Sequence, residues 1–341
     1  MLKPTNREAL AGSDTGTGQG ERQLPRHCTT ATLRSILDTA AKRRGRGRSD
    51  SSIALVNAAY EIARDTRPIT VRGIAYKLFT AGYIASMSKN ETAKVSRLLT
   101  RAREEGVIPW EWIVDETRQT ERVNTWSSTD AIIQAAVNGY RRNYWQDQPN
   151  WVQVWSEKGT VRGVLRPVLD HFGVSFRVMH GFGSATAVND LAAETQRADK
   201  PLTILYVGDW DPSWLYMSAV DLPGRIARYG GRCQIIRIAL ALQDVGEGTD
   251  LPSFDVATKA NDPRHKWFVD RYGIRCWELD AMDPNDLRER VQNHIAQLID
   301  APAWNRAIEV ETEEVASMQE FHAAWQASIS GQDAKYSEVR P

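Results

Sequence analysis

The feature that most constrains the fold is a regular alternation of apolar, strand-like runs with amphipathic helical patterns after residue 150. Predicted strands cover residues 152–155, 174–179, 202–207, 233–238 and 274–279, and helical patterns separate most of them. Strands that alternate with amphipathic helices build a mostly parallel sheet with helices on both faces. The sequence therefore predicts an α/β fold whose functional side chains lie beyond the carboxyl ends of the strands.

Composition limits the class of protein. The chain has 341 residues, 42% of them hydrophobic, which is enough for two domains that each bury a core. No apolar run approaches the roughly 18 residues of a membrane span, and the polar first 20 residues argue against a secretory signal. Cys28, Cys233 and Cys276 are too scattered for a disulfide framework or a cysteine zinc site. We therefore expect a reduced, cytoplasmic protein.

Charge is divided unevenly along the chain, although the formal net charge is zero. Residues 1–125 carry 21 Lys and Arg against 14 Asp and Glu, whereas the remainder carries 22 against 29. The basic part includes Lys42–Arg48, a segment dominated by Arg and Lys within a tail at residues 1–50. This distribution suits a chain that binds a polyanion at one end and a cation at the other. Ordinary sampling would also explain the uneven charge, and a solvated linker would also explain the basic segment.

Residues 51–125 predict three helices followed by a β-hairpin. Pro68 ends the first helix, and Thr70 fits the N-cap of the second. The third helix, near residues 90–105, carries a basic stripe opposite its buried face. This stripe consists of Lys94, Arg97 and Arg101. Three helices and a β-wing beginning at residues 108–114 are typical of a winged helix-turn-helix. We expect the stripe to bind double-stranded DNA, with a solvated surface as the alternative.

The rest of the chain divides into three parts. A helical connector is predicted at residues 126–150, and the sheet-containing domain covers residues 151–300. Residues 301–341 are predicted to hold one amphipathic helix and a polar tail.

Acidic side chains follow two strands of the predicted sheet. The first strand runs into Ser156-Glu157-Lys158-Gly159, and the third runs into Gly208-Asp209-Trp210-Asp211-Pro212. If the strands are parallel, Glu157, Asp209 and Asp211 meet on one edge, where they would repel one another because no group of cations compensates them. Carboxylate oxygens favour a hard ion. The sequence therefore predicts a Mg²⁺ site and phosphoryl or phosphodiester chemistry.

Single residues on this edge have alternative interpretations. Asp211 also fits the start of a turn. Lys158 either contacts a phosphate or pairs with Asp209 or Asp211. Glu278, which ends the last predicted strand, is expected on the surface, and a place on the acidic edge is the alternative.

The order of these motifs resembles the Toprim domain, the metal-binding module of topoisomerases, primases and some nucleases. The resemblance lies in a strand ending in Glu-Lys, a strand ending near Gly181-Phe182-Gly183 and a strand ending in Asp-x-Asp-Pro. A winged helix ahead of such a domain is similar to the topoisomerase VI A subunit, whose relatives initiate meiotic recombination. The segment Arg72-Gly73-Ile74-Ala75-Tyr76 resembles that family's Arg-x-x-x-Tyr motif. It departs from the motif at Gly73, where the family usually has Asp, and at Ala75, where a second aromatic is common.

This resemblance, which covers about residues 55–300, implies double-strand DNA cleavage through a tyrosyl–DNA intermediate. Tyr76 would be the nucleophile, and Arg72, one helical turn away, would bind the scissile phosphate with help from Lys158. One or two Mg²⁺ ions, replaceable by Mn²⁺, would be bound. Their ligands would be Glu157, Asp209 and Asp211. The family also implies a homodimer in which Tyr76 faces the partner's metal. A separate GHKL-type ATPase subunit is implied unless the chain is a free-standing A-like member.

Two other functions fit the same sequence. A hydrolytic Toprim nuclease of the plasmid- or phage-defence type would use water as the nucleophile, and Tyr76 would be structural. A non-catalytic DNA-binding protein would keep the acidic edge as a vestige. All three interpretations place the protein on DNA, and therefore in the nucleoid rather than at a membrane.

Overall fold

The computed structural model describes residues 49–114, 125–179, 185–246 and 248–337. These ranges belong to one compact unit, Ser49–Pro341. The basic segment at residues 42–48, the end of the predicted wing and Gly181–Gly183 lie outside the described residues. Within the described ranges, no helix is both long and apolar enough to cross a membrane.

Three helices open the described chain, and their boundaries follow the sequence signals. They are α1 (Asp50–Thr66), α2 (Val71–Thr80) and α3 (Lys89–Glu104). Each begins at a hydroxyl side chain that accepts a hydrogen bond from the backbone N–H three residues later. These N-caps are Ser49, Thr70 and Ser88. The predictions of three helices, and of Thr70 as the cap of the second, are confirmed.

The chain after α3 differs from the predicted hairpin. The sequence predicts a strand over residues 108–114, but Trp110–Trp112 form one 3₁₀ turn and only Ile113–Val114 (β2) is extended. Strand β2 pairs in parallel with Ile69–Thr70 (β1). A strand would place Trp110 and Trp112 on the same face. The turn separates them, because it buries Trp112 and leaves Trp110 55% exposed.

A four-stranded parallel sheet lies at the centre of the unit, in the order β4-β3-β5-β6. Its strands are β3 (Trp151–Ser156), β4 (Ser175–Val178), β5 (Leu202–Val207) and β6 (Cys233–Ala239). Apolar cores lie on both faces, and neighbouring residues of one strand enter different cores. Leu205 joins one core and Tyr206 joins the other. The predicted α/β fold with a parallel sheet is confirmed.

Helices connect and cover these strands. They are α4 (Thr129–Gly139), α5 (Thr160–Phe172), α6 (Ala185–Arg197), α7 (Pro212–Tyr216), α8 (Leu222–Arg228), α9 (His265–Tyr272), α10 (Pro284–Gln297) and α11 (Ala301–Ser337). The predicted connector at residues 126–150 is helical only over α4. The predicted C-terminal helix is α11, which contacts α4 through the His322–Asp130 pair.

The last predicted strand, at residues 274–279, does not join the parallel sheet. Arg275–Trp277 (β8) pairs antiparallel with Ser253–Asp255 (β7). The backbone of Trp277 also exchanges hydrogen bonds with that of Trp210, just beyond β5. This bridge brings the residues that follow β8 to the carboxyl end of β5, where the acidic motif lies.

Candidate active site

The carboxyl ends of β3 and β5 place two of the predicted carboxylates side by side. These strands are paired in parallel, with Ser156 opposite Val207, so the residues that follow them share one edge of the sheet. The backbone N–H of Asp209 donates to Glu157 Oε1 at 2.9 Å. Both side chains are buried, with 6% of Glu157 and 8% of Asp209 exposed. The structure therefore brings Glu157 and Asp209 together.

Gly208 makes this close approach possible. A Cβ atom at this position would lie 2.3 Å from Glu157 Oε2 and 2.9 Å from Tyr206 Cε1. Neither neighbour is free to move away, because both are buried. The glycine of the Gly-Asp-x-Asp segment is therefore required for the position of the Glu157 carboxylate.

Asp211 occupies a different position from the other two acids. Its Oδ1 accepts a hydrogen bond from the Trp214 N–H at 3.0 Å and caps helix α7. Its Oδ2 pairs with Lys259 Nζ at 3.1 Å. Both carboxylate oxygens are thus engaged, in agreement with the interpretation of Asp211 as the start of a turn.

The expectation that no cations compensate these acids is wrong. Lys158 Nζ lies between Asp209 Oδ1, at 2.9 Å, and Asp280 Oδ2, at 2.8 Å. Lys259 pairs with Asp211. Of the two interpretations of Lys158, the structure has the ion pair, with Asp280 rather than Asp211 as its second acid. Lys259 escaped sequence analysis because it lies about 50 residues along the chain from its partner.

Arg237 holds the loop that carries the acids. Its guanidinium donates to four backbone carbonyl oxygens at 3.0–3.1 Å. These belong to Gly208, Asp209, Leu240 and Trp214. The guanidinium also lies over the Tyr206 ring, 4.9 Å from its centre. Burial lowers the pKa of Arg237, while the charges of the nearby acids oppose that shift. No sequence signal identified this residue, since an Arg within an apolar strand has no local motif.

The paired acids have perturbed pKa values. Burial, followed by the charge of Asp209, raises the pKa of Glu157 from its ordinary value of 4.5 to about 7, while Lys158 opposes the shift. Burial also raises the pKa of Asp209, against the effect of Lys158. Burial alone would lower the pKa of Lys158, but Asp280 and Asp209 raise it overall. At neutral pH the edge therefore holds a fixed ammonium and a Glu157 carboxyl close to its titration point.

Helix α2, from the three-helix segment, brings Arg72 and Tyr76 to the same edge of the sheet. Arg72 Nε donates to Glu278 Oε2 at 2.6 Å, and the Arg72 guanidinium carbon lies 5.7 Å from the centre of the Tyr76 ring. Tyr76 is 5% exposed. Burial and then the charge of Glu278 raise the pKa of its hydroxyl, while Arg72 and Lys158 lower it. Tyr76 therefore lies beside the acidic edge of its own chain.

The expectation of a surface position for Glu278 is wrong. Glu278 and Asp280 follow β8 and reach the edge because Trp277 pairs with Trp210. The Asp280 side chain is 7% exposed and was not predicted as a site residue. A signal for it was present, since Glu278-Leu279-Asp280 repeats the acid-x-acid spacing of Asp209-Trp210-Asp211.

A cavity of about 560 Å³ lies between the three-helix segment and the acidic edge, beside their direct contacts. Thr70, Arg72, Thr92 and Ser96 line it on the helical side. Lys158, Asp209, Glu278 and Asp280 line it on the sheet side. The cavity is therefore a polar space with carboxylates on one wall and hydroxyl groups with a guanidinium on the other.

The predicted basic stripe lies on the same helix α3 that lines the cavity. Lys94 and Arg97 are exposed, whereas Arg101 is partly buried and pairs with Glu105 at 2.8 Å. Lys94 and Arg97 are thus available to a polyanion, and Arg101 is partly neutralised. DNA binding by the stripe stays a prediction.

The fit of this edge to a divalent cation is uneven. Among the described residues, no group of three or more His, Cys, Asp or Glu side chains is arranged to hold a metal ion. Glu157 and Asp209 suit a hard cation, because they are adjacent oxygen donors whose mutual repulsion a cation would relieve. Asp211 could join them only by releasing Lys259 or its helix cap.

Comparison of the chain with protein-family models, curated proteins and solved structures gave no significant match. The function of the site is therefore inferred from its own residues and geometry.

Proposed function

We propose that the chain cleaves double-stranded DNA in a metal-dependent reaction, with a winged-helix domain at residues 51–125 and a Toprim domain at residues 151–300. One observation carries the proposal. Arg72 on α2 lies over the Tyr76 ring and pairs with Glu278. Arg72 also lines one cavity with Lys158 and Asp209 at the carboxyl edge of the parallel sheet, where Asp209 meets Glu157. A tyrosine, two cations and paired buried carboxylates are the groups that tyrosyl transfer of a phosphodiester needs.

In the proposed reaction, the Tyr76 hydroxyl loses its proton, and its oxygen forms a bond to a DNA phosphorus as the bond from phosphorus to a deoxyribose oxygen breaks. The leaving deoxyribose oxygen takes up a proton and becomes a free hydroxyl. Arg72 and Lys158 would stabilise the added negative charge on the phosphate. Glu157 and Asp209, joined by Asp211 after release of Lys259, would hold Mg²⁺ or Mn²⁺. The bound ion would supply Lewis-acid stabilisation. A homodimer would act on both strands, and an ATPase partner of the GHKL type would be needed for strand passage.

The test is covalent capture of the protein on DNA. Supercoiled plasmid is incubated with the full chain and Mg²⁺ or Mn²⁺, denatured, and compared with and without protease treatment. We expect protein-linked DNA ends that disappear in Tyr76→Phe and in Asp209→Asn. Tyr83→Phe is the matched control, because Tyr83 follows the same helix but is 50% exposed, and it should retain the adduct.

A second function, hydrolytic cleavage, is favoured by the burial of Tyr76 and the raised pKa of its hydroxyl. A phenol of raised pKa is a weaker nucleophile at neutral pH, so water would attack instead. Cleavage that survives Tyr76→Phe but is lost in Asp209→Asn would select this alternative. Binding without cleavage under either metal would select a non-catalytic DNA-binding protein.

A further inference from the structure

We propose that Glu278 and Asp280 form an acidic gate, whose carboxylates occupy the places of DNA phosphates on Arg72 and Lys158 until nucleic acid displaces them. The gate deepens the proposed function, since it takes the backbone phosphate of DNA as the ligand of the cavity.

The contacts of the gate engage both cations. Arg72 binds Glu278 through Nε at 2.6 Å and through Nη2, and its Nε lies 3.7 Å from Asp280 Oδ2. Lys158 Nζ binds Asp280 at 2.8 Å and Asp209 at 2.9 Å. These are the charge-assisted hydrogen bonds that a phosphate would make to the same donors. A phosphate that bound these same donors would therefore do so in exchange for the carboxylates.

The charge of the cavity wall supports this exchange. Arg72 and Lys158 are the two cations of the lining given by the described residues, and they face three acids, Asp209, Glu278 and Asp280. The lining therefore carries an excess of negative charge, which repels a polyanion. Neutral Gln and Asn in place of the two gate acids would leave the cations in excess.

The geometry lets the carboxylates move without the backbone. The Leu279 N–H, between the two gate residues, donates to Asp209 Oδ1 at 2.7 Å and fixes the chain there. By contrast, the Arg72 and Glu278 side chains are 44% and 21% exposed. Partly exposed ion pairs exchange partners at low cost. The Glu278 half of the gate therefore opens by rotation of side chains, whereas Asp280, only 7% exposed, leaves Lys158 when an incoming phosphate replaces it.

The experiment measures binding of the full chain to a fluorescent DNA duplex of about 30 base pairs, in chelator, by anisotropy over a range of salt concentrations. For Glu278→Gln/Asp280→Asn we expect about tenfold tighter binding and a salt slope steeper by about 0.9 for each freed phosphate contact. The matched control is Asp170→Asn/Asp270→Asn. It also removes two acids from ion pairs with basic partners, but at exposed positions on α5 and α9. The control should change affinity by less than about threefold.

Two further variants keep the test decisive. Glu278→Gln alone retains the buried Asp280 and should show about half of the slope change, even if the double variant does not fold. Adding Arg72→Ala to Glu278→Gln should cancel the gain, because the freed cation is then absent. Equal affinity and slope in wild type and Glu278→Gln, or a gain that persists without Arg72, would overturn the gate. These binding measurements do not require DNA cleavage. The gate can therefore fail while the proposed cleavage activity holds, and the reverse.

Discussion

The raised pKa of Glu157 predicts an unusual dependence of stability on pH, which Glu157→Gln should remove. In the folded protein the pKa of Glu157 is about 7, against an ordinary value of 4.5 that applies when the chain unfolds. The folded state thus binds the proton more tightly, so protonation favours folding. This stabilisation is complete below about pH 4.5 and is lost as the pH rises through about 7.

The size of the effect follows from the two pKa values. Between about pH 5 and pH 8, Glu157 alone should lower the free energy of unfolding by about 2.5 kcal/mol. The measurement is urea unfolding of wild type and Glu157→Gln at several pH values in chelator. Because groups away from the edge titrate equally in both proteins, the difference between them reports Glu157 together with the Asp209 carboxyl, whose charge acts on it. The glutamine can still accept the hydrogen bond from the Asp209 N–H.

The expected result is that the free energy of unfolding of Glu157→Gln rises relative to that of wild type by about 2.5 kcal/mol between about pH 5 and pH 8. Glu320→Gln, at an exposed position on α11, is the control. Its free energy of unfolding should change with pH in the same way as that of wild type. A constant difference between wild type and Glu157→Gln across this range would refute the assignment of a buried, destabilised carboxylate to the site.

Two further predictions follow from contacts of the site, and a third concerns the basic stripe on α3. Gly208→Ala should lower the free energy of unfolding by about 2 kcal/mol, because its Cβ would lie 2.3 Å from Glu157 Oε2; an unchanged urea midpoint would contradict this. Arg237→Met should lower the free energy of unfolding by about 3 kcal/mol, since it leaves buried carbonyl oxygens without donors. Arg237→Lys should recover only part of the loss, and full recovery would count against the role of the guanidinium. Arg97→Ala/Arg101→Ala should reduce the salt slope of DNA binding by about 0.9 for each lost phosphate contact. Most of that reduction should come from Arg97, because Arg101 pairs with Glu105; an unchanged slope would show that the stripe does not touch DNA.

Local patterns in the sequence were sufficient to predict the sheet and its acidic edge. Strand β5 is buried along its whole length, so its sequence is apolar apart from Thr203, and Gly208-Asp209 marks its end. Helix α2 is specified by Thr70 at its cap and by Pro68 before it. In each case, the sequence signals that mark the element lie within a few residues along the chain.

The parts that sequence analysis missed depend on contacts between distant residues. Strand β8 pairs antiparallel with β7 rather than with the sheet, and the Trp210–Trp277 bridge then carries Glu278 to the edge. Lys259 reaches Asp211 in the same way. The predicted strand at residues 108–114 bends into a turn because Trp112 packs against Tyr60 of α1, with ring centres 5.3 Å apart. Of these partners only Glu278 is marked by spacing, through the acid-x-acid pattern of Glu278-Leu279-Asp280.

The most direct test of a cation site at Glu157 and Asp209 is calorimetric titration of the full chain with Mn²⁺ or Mg²⁺ at about pH 7, in two buffers of different ionisation enthalpy. Binding should release a fraction of a proton, on the order of one half, because Glu157 is close to its titration point and a cation displaces its proton. Asp209→Asn should abolish both the heat and the proton release. Absence of metal uptake by the wild-type chain, or uptake unchanged in Asp209→Asn, would contradict the proposed metal-dependent cleavage.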